Sequence, residues 1–135
     1  MTMNEIIGFI ERNKYGSLAT CKDGKSDIRP FELVFYCSRG MFFYTSSDED
    51  VFEQLNANPY ISFCATDENL NYVKIAGSVV FSDSQDDKVK IAANSQLAQK
   101  VFPDSNLDAM KVFFLPHASC ILHYHADNRA VEWQF

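Results

Sequence analysis

The chain has 135 residues, 47% hydrophobic and 22% charged, with twelve Phe and six Tyr. That composition suits one globular domain over residues 1–135 whose core needs no disulfide staples. A formal net charge of -6, with no stripe of Lys and Arg, excludes non-specific binding to DNA or RNA, which depends on cationic faces that release counterions.

The opening MTMNEIIGFIERNKYG carries no basic leader, no uninterrupted apolar segment and no small-residue cleavage site. No run approaches membrane-spanning length, so the reading places the protein in the cytoplasm, away from membranes. Met3, Ile6, Ile7 and Ile10 fall at helical spacing behind Thr2 or Asn4 as a cap, which predicts an opening helix of about three turns. Gly16 then releases the chain into strands. YGSLATCK, a Lys22-Asp23-Gly24 turn and SDIRPFELVFYC read as a hairpin, since Asp-Gly accepts the positive φ of a tight reversal.

In the second strand Phe31, Leu33, Phe35 and Cys37 alternate and share a face, with Arg29 opening the row. A cation is thereby set at the rim of an apolar interior. After the turn at Ser38-Arg39-Gly40 comes the strand MFFYTSS, and Ser46 followed three residues later by Glu49 predicts a capping box. Val51, Phe52 and Leu55 form the buried stripe of the helix that follows, and Asn58-Pro59 ends it.

YISFCAT and NYVKIAGSVVFS are each predicted to be one strand, with Val73, Ile75, Gly77, Val79 and Phe81 of the second facing one way. Ser84 and Asp87 then start a longer helix in which Val89, Ala93, Leu97 and Val101 recur every fourth residue. MKVFFLP, SCILHYH and AVEWQF finish the chain as strands. About seven or eight strands and three helices predict a mainly β (α+β) fold, a small closed antiparallel barrel with helices over its ends.

Cys21, Cys37, Cys64 and Cys120 lack Cys-x-x-Cys spacing and read as small buried hydrophobes in a reducing compartment. His123 and His125 share one side of a strand about 7 Å apart, but Cys120 points the other way, and His117 stands apart. No metal is assigned to them. Arg29, Thr45, Ser46 and Ser47, with the free N–H groups of the helix that starts there, form a candidate anion pocket. Ordinary capping accounts for Ser46 equally well, and an arginine opening a strand is commonly a surface partner of a carboxylate. Lys74 lies opposite Val73 and Ile75, where a lysine on a half-exposed strand commonly faces solvent. Gly77 permits close approach of a ring, a partner backbone or a barrel bend. Trp133, Tyr72 and Phe43 are aromatic flanks or plain core. No serine nucleophile elbow, catalytic carboxylate pair, Walker loop or dinucleotide glycine motif occurs, so no catalytic side chain is assigned.

The order Arg29-Pro30-Phe31, then Phe43-Tyr44-Thr45-Ser46, then a short helix from Val51 to Asn58-Pro59 resembles the FMN-binding split-barrel proteins related to pyridoxamine 5'-phosphate oxidase. The resemblance implies a split antiparallel β-barrel with flanking helices, working as a homodimer whose subunit interface builds each cofactor pocket. It implies FMN, held by Arg29, Pro30, Phe31, Phe43, Tyr44, Thr45, Ser46, Ser47, Val51, Gln54 and Lys74. The flavin would carry the electron chemistry, oxidising or reducing a small molecule with NAD(P)H as a candidate donor. The Arg-rich closing segment of the oxidases has no counterpart in NRAVEWQF, which argues against full pyridoxamine phosphate oxidase activity. Relatives commonly carry Lys where this chain has Glu49. At about 6 Å from a phosphate, that reversal costs roughly 2 kcal/mol, about thirtyfold in affinity. Two further readings stand beside this one: a module that holds flavin, deazaflavin or haem without turnover, and a degenerate barrel without cofactor that acts as a dimeric interaction protein.

Overall fold

Two apolar runs that read as single strands each change sheets partway along, and those two crossings shape the molecule. The computed structural model describes residues 2–135, without the Ser105 side chain. The helix α1 (Thr2–Arg12) leads into β1 (Tyr15–Lys22) and β2 (Lys25–Glu32), joined by Asp23 and Gly24 at φ 54° and 75° as the Asp-Gly reading requires. Then come β3 (Phe35–Cys37), β4 (Gly40–Ser46), α2 (Asp50–Ala57), β5 (Tyr60–Thr66), β6 (Tyr72–Ser78) and β7 (Val80–Ser82). The helices α3 (Gln85–Asn94) and α4 (Gln96–Val101), a 3-10 turn at Pro103–Ser105, and β8 (Met110–Leu115), β9 (Ser119–Tyr124) and β10 (Arg129–Gln134) complete the chain.

One sheet runs β10-β9-β6-β5-β1-β2 and the other β3-β4-β8-β7, with every pairing antiparallel. The predicted strand SDIRPFELVFYC is divided because consecutive amides serve different sheets: Leu33 N–H bonds the Lys14 carbonyl and Val34 N–H bonds that of Phe42, both at 2.8 Å. The same happens in NYVKIAGSVVFS, where Val79 N–H bonds Pro59 O at 2.9 Å and Val80 pairs with Phe114. Following the pairings, and the chain itself where β2 runs on into β3 and β6 into β7, leads from β1 through β2, β3, β4, β8, β7, β6 and β5 back to β1. The circuit is a closed barrel, and β9 and β10 extend it outward from β6 as a wing.

The crossings also sort the core. Phe31, Leu33, Phe43, Phe63, Ile75 and Phe113 fill the barrel interior, which Ile6, Phe9 and Ile10 of α1 close at one end. Phe35 and Cys37 belong instead to a second cluster outside the four-stranded sheet, against Val34, Phe42, Ile91 and Phe102. The expected continuous row from Phe31 to Cys37 is therefore broken between the two cores. Gly40 is needed where β4 begins, since its φ is 138° and a Cβ there would overlap the Leu115 carbonyl.

The single helix expected after Ser84 is two helices, because Ser95 adopts extended backbone (φ -138°, ψ 111°) and caps α4 through Ala98 N–H at 3.0 Å. The predicted apolar row faces outward, with Val89 53%, Leu97 41% and Val101 51% exposed, whereas Ile91, Ala98 and Phe102 are buried. The break at Ser95 rotates the second half onto a new face, which a spacing of four residues cannot anticipate. No helix among the described residues is long and apolar enough to cross a membrane.

Candidate functional site

A cleft of about 420 Å³ opens where β2, the end of β4, the start of α2 and the end of α4 converge, a size that suits a small molecule. Arg29, Pro30, Phe31, Tyr44, Thr45, Ser46 and Val51, all predicted site residues, line it. Inward alternation along β2 sets Arg29 and Phe31 opposite Leu18 and Gly16 of β1, so the guanidinium does sit at the rim of the apolar interior.

The other predicted residues lie elsewhere. Phe43 is fully buried in the barrel, stacked on Phe113 with centroids 5.4 Å apart. Ser47 gives its N–H to Ala109 O at 2.8 Å. Gln54 stands behind Arg29. Lys74 lines a second hollow of about 300 Å³ on the outer face of the six-stranded sheet, with Ala19, Ile28, Cys64 and Ile121. Tyr72 stacks on His123 at 4.9 Å, and Trp133 packs on the interior core.

Both terminal nitrogens of Arg29 are in use. Nη1 donates to Thr20 Oγ1 at 2.9 Å and Leu18 O at 3.3 Å, while Nη2 donates to Gln54 Oε1 at 2.7 Å and Asp27 Oδ2 at 2.8 Å. Gln54 Nε2 closes the network by donating to Asp27 Oδ2 at 3.0 Å. These bonds hold the Asp27 carboxyl below the usual carboxylate range, the Gln54 amide first, then the Ile28 N–H and the Arg29 charge.

The expected capping box is absent, because the chain makes an extra turn before α2 begins. Ser46 O accepts Glu49 N–H at 3.0 Å, and Ser46 Oγ donates to Asp48 Oδ1 at 2.5 Å. Glu49 itself is the N-cap, in extended backbone, and its side chain makes no capping bond. Glu49 and Asp50 thus stand exposed on the cleft wall at the start of α2.

The inner end of the cleft holds a residue that the sequence reading missed. Glu32, 4% exposed, accepts a hydrogen bond from Ser95 Oγ at 2.5 Å. Burial, with the Glu32 charge adding to it, pushes the Tyr44 hydroxyl up to about 12. Tyr15 is also raised, by burial first and then by Glu32. An acid inside the apolar run FELVF was the available signal. Leu97, Val101 and Phe102, which complete the cleft, carry no such signal, since only the break at Ser95 brings them there.

The histidines do not converge. His123 Nε2 lies 2.9 Å from Asn128 Oδ1, His125 gives its backbone N–H to Asn71 Oδ1 at 2.9 Å, and His117 is exposed. No group of three His, Cys, Asp or Glu side chains suited to a metal occurs among the described residues. Of the cysteines only Cys120 is buried, with a thiol pushed up to about 12 by burial; Cys21 and Cys37 are half-buried and Cys64 is exposed. Cys64 departs from expectation because it alternates outward on β5 between the buried Phe63 and Ala65.

A barrel closed by two sheet-crossing strands, with an aromatic cleft against a helix start, is the architecture of the split-barrel flavin-type proteins. Residues 3–119 match the family described as pyridoxamine 5'-phosphate oxidase, and the chain belongs to that family. No curated protein sequence matches it. Among solved structures it resembles a NimC/NimA family protein from Clostridium acetobutylicum, at TM-score 0.85 and 15% identity over 99% of this chain and 92% of that one. It also resembles a pyridoxamine 5'-phosphate oxidase-related, FMN-binding protein from Nostoc punctiforme, at TM-score 0.65 and 13% identity over 98% and 95%. A heme-binding protein from Mycobacterium smegmatis gives TM-score 0.76 and 14% identity over 98% of this chain and 57% of that one. At these identities the likeness is one of fold.

The FMN that the resemblance implies has two chemically different halves, and the cleft meets them differently. Pro30, Phe31, Tyr44 and Phe102 offer the apolar and aromatic surface that a planar ring needs. The phosphate half does not fit: among the described residues Arg29 is the only cation lining the cleft, its terminal donors are committed, and Asp27, Glu32, Glu49 and Asp50 line it too.

Proposed function

We propose that the protein holds the planar ring system of a flavin in this cleft and serves as a small flavin-dependent oxidoreductase. The observation that supports this reading most directly is the 420 Å³ cleft, formed at the sheet crossing from Phe31, Tyr44 and Phe102 within the matched family region. A bound flavin would supply two-electron chemistry, passing electrons between a nicotinamide donor and a small molecule. The chain's own contribution is to bind, orient and shield the ring. Pro30 and Phe31 offer one wall and Tyr44 and Phe102 another, and the Tyr44 hydroxyl, protonated at neutral pH like any tyrosine's, supplies a donor.

The working form in this proposal is a homodimer. The outer face of the six-stranded sheet supports it, since Ala19, Ile28, Cys64 and Ile121 line an apolar hollow there and Ile28 is 65% exposed. Sedimentation velocity at micromolar concentration is expected to show a dimer, and Cys64 is expected to lose reactivity toward a maleimide as the protein is concentrated. A monomer with concentration-independent labelling sinks the dimer.

The flavin reading is tested by titrating protein into riboflavin, FMN and a deazaflavin and following fluorescence. Saturable quenching at micromolar protein, followed by bleaching of the bound flavin with NAD(P)H, supports an oxidoreductase. Quenching without bleaching by any nicotinamide reduces the function to holding the ligand.

A further inference from the structure

We propose that this cleft selects against a phosphate tail and takes a planar flavin-type ligand whose tail carries no negative charge, riboflavin in preference to FMN. The inference rests on the flavin reading above. It follows from what the polar groups around the cleft are already doing.

A phosphate monoester at neutral pH carries close to two negative charges and needs donors that are free to meet it. Arg29, the one lining cation, spends Nη1 on Thr20 and Leu18 and Nη2 on Gln54 and Asp27. Turning it toward a phosphate would leave the Asp27 carboxylate without its cation and Gln54 Oε1 with the Thr20 hydroxyl alone as donor. At the helix start Ser47 N–H is used by Ala109 O, Glu49 N–H by Ser46 O, Phe52 N–H by Glu49 O and the Ser46 hydroxyl by Asp48, and the remaining first-turn N–H groups sit beside the Glu49 and Asp50 carboxylates. Lys22, on the neighbouring strand, is paired with Glu53 of α2.

The carboxylates act in the same direction. Glu49 and Asp50 project at the helix start and Glu32 is buried deeper in the cleft, so an incoming dianion meets like charge at both depths. An uncharged polyol tail meets the opposite situation. Each of its hydroxyls is a donor, and Glu49 and Asp50 are exposed acceptors that form no ion pair among the described residues. Hydrogen bonds to ionised carboxylates are the stronger kind. The cleft is therefore matched to a ring with a hydroxylated, uncharged tail.

The experiment compares three planar fluorescent probes on the purified apo protein at low and at moderate ionic strength: riboflavin, FMN and the cation proflavine. Riboflavin is expected to bind about tenfold or more tightly than FMN at low salt, with the gap narrowing as salt screens the carboxylates. Glu49→Lys is expected to reverse the order in favour of FMN, with thermal melting confirming that the variant is folded. FMN binding as tightly as riboflavin to the unaltered protein, or more tightly, overturns the selection while leaving the flavin reading intact. Proflavine binding with neither flavin bound overturns the flavin reading and upholds the selection by charge. Failure of all three probes overturns both.

Discussion

Gln54 Oε1 lies 2.7 Å from Arg29 Nη2, and that contact ties the middle of α2 to the inner face of β2. The guanidinium that a sequence reading would assign to a ligand is, in the folded chain, a brace between two elements. Its remaining partners, Thr20 and the Leu18 carbonyl on β1 and Asp27 on β2, make the brace three-sided.

Truncating Gln54→Ala is expected to lower stability by about 1–2 kcal/mol, because it removes a charge-assisted bond from Arg29 and the amide donor to Asp27 together. Urea denaturation of the variant and the parent measures this. A midpoint unchanged within error would mean that the network carries no weight.

Acid should weaken the fold through Asp27 and Asp87. The Arg39 guanidinium, bonded to both Asp87 oxygens at 2.8 and 3.0 Å, holds Asp87 below its ordinary value against the effect of burial, and the Ser82 hydroxyl adds to it. A depressed folded pKa contributes stability that is complete above the ordinary carboxylate value, about 3.9, and is lost as pH falls through the folded value. Melting temperature should thus be flat near neutrality and drop below about pH 4. Asp87→Asn should lower the neutral plateau and make the acid limb shallower. An acid limb as steep as the parent's would assign the effect to other groups.

Ser95 serves two masters, capping α4 through Ala98 N–H and donating to the buried Glu32. Ser95→Ala should cost about 2 kcal/mol, the cap and the carboxylate's donor combined. In a Glu32→Gln background the same change should cost less, since the uncharged amide tolerates the loss better. Equal costs in the two backgrounds would show that the pair is not coupled.

At Gly40 the positive φ and the nearby Leu115 carbonyl leave no room for a side chain. Gly40→Ala is predicted to cost about 3 kcal/mol or more, visible as a fall in expression or melting temperature. Gly24→Ala, whose Cβ would meet nothing within 4 Å, should cost less, its penalty being confined to the backbone at φ 75°.

Thiol chemistry should separate the cysteines. Cys120, fully enclosed and with its thiol raised to about 12, should stay unmodified by iodoacetamide at pH 8 until the protein is unfolded. Mass spectrometry of labelled peptides reads this directly, and early modification of Cys120 would show that the wing formed by β9 and β10 opens in the native state.

Most of the secondary structure was legible in the sequence because alternation and turn residues are local signals. The Asp23-Gly24 hairpin and the end of α2 at Asn58 behave as read. The sheet crossings were not legible: Leu33 and Val34 are both fully buried, so an uninterrupted apolar run conceals that one faces the barrel and the other its outside. The site was half legible. Arg29 to Phe31 and Tyr44 to Ser46 converge because the crossing after β2 brings the two sheets together around one cleft. The commitment of Arg29 depends on Gln54, 25 residues away, and the α4 wall depends on a break at Ser95 that four-residue spacing disguised. Glu32 escaped notice because its hydroxyl partner lies 63 residues downstream.

Ile28 borders both hollows, the cleft on one side of β2 and the depression on the sheet's outer face on the other. Arg29 and Phe31 turn inward, so the Ile28 side chain faces outward and the strand itself is the wall between the two hollows. In the proposed dimer, a partner seated on the outer face would press on that strand, and assembly and ligand uptake would then be thermodynamically linked, each altering the other's equilibrium by the same factor.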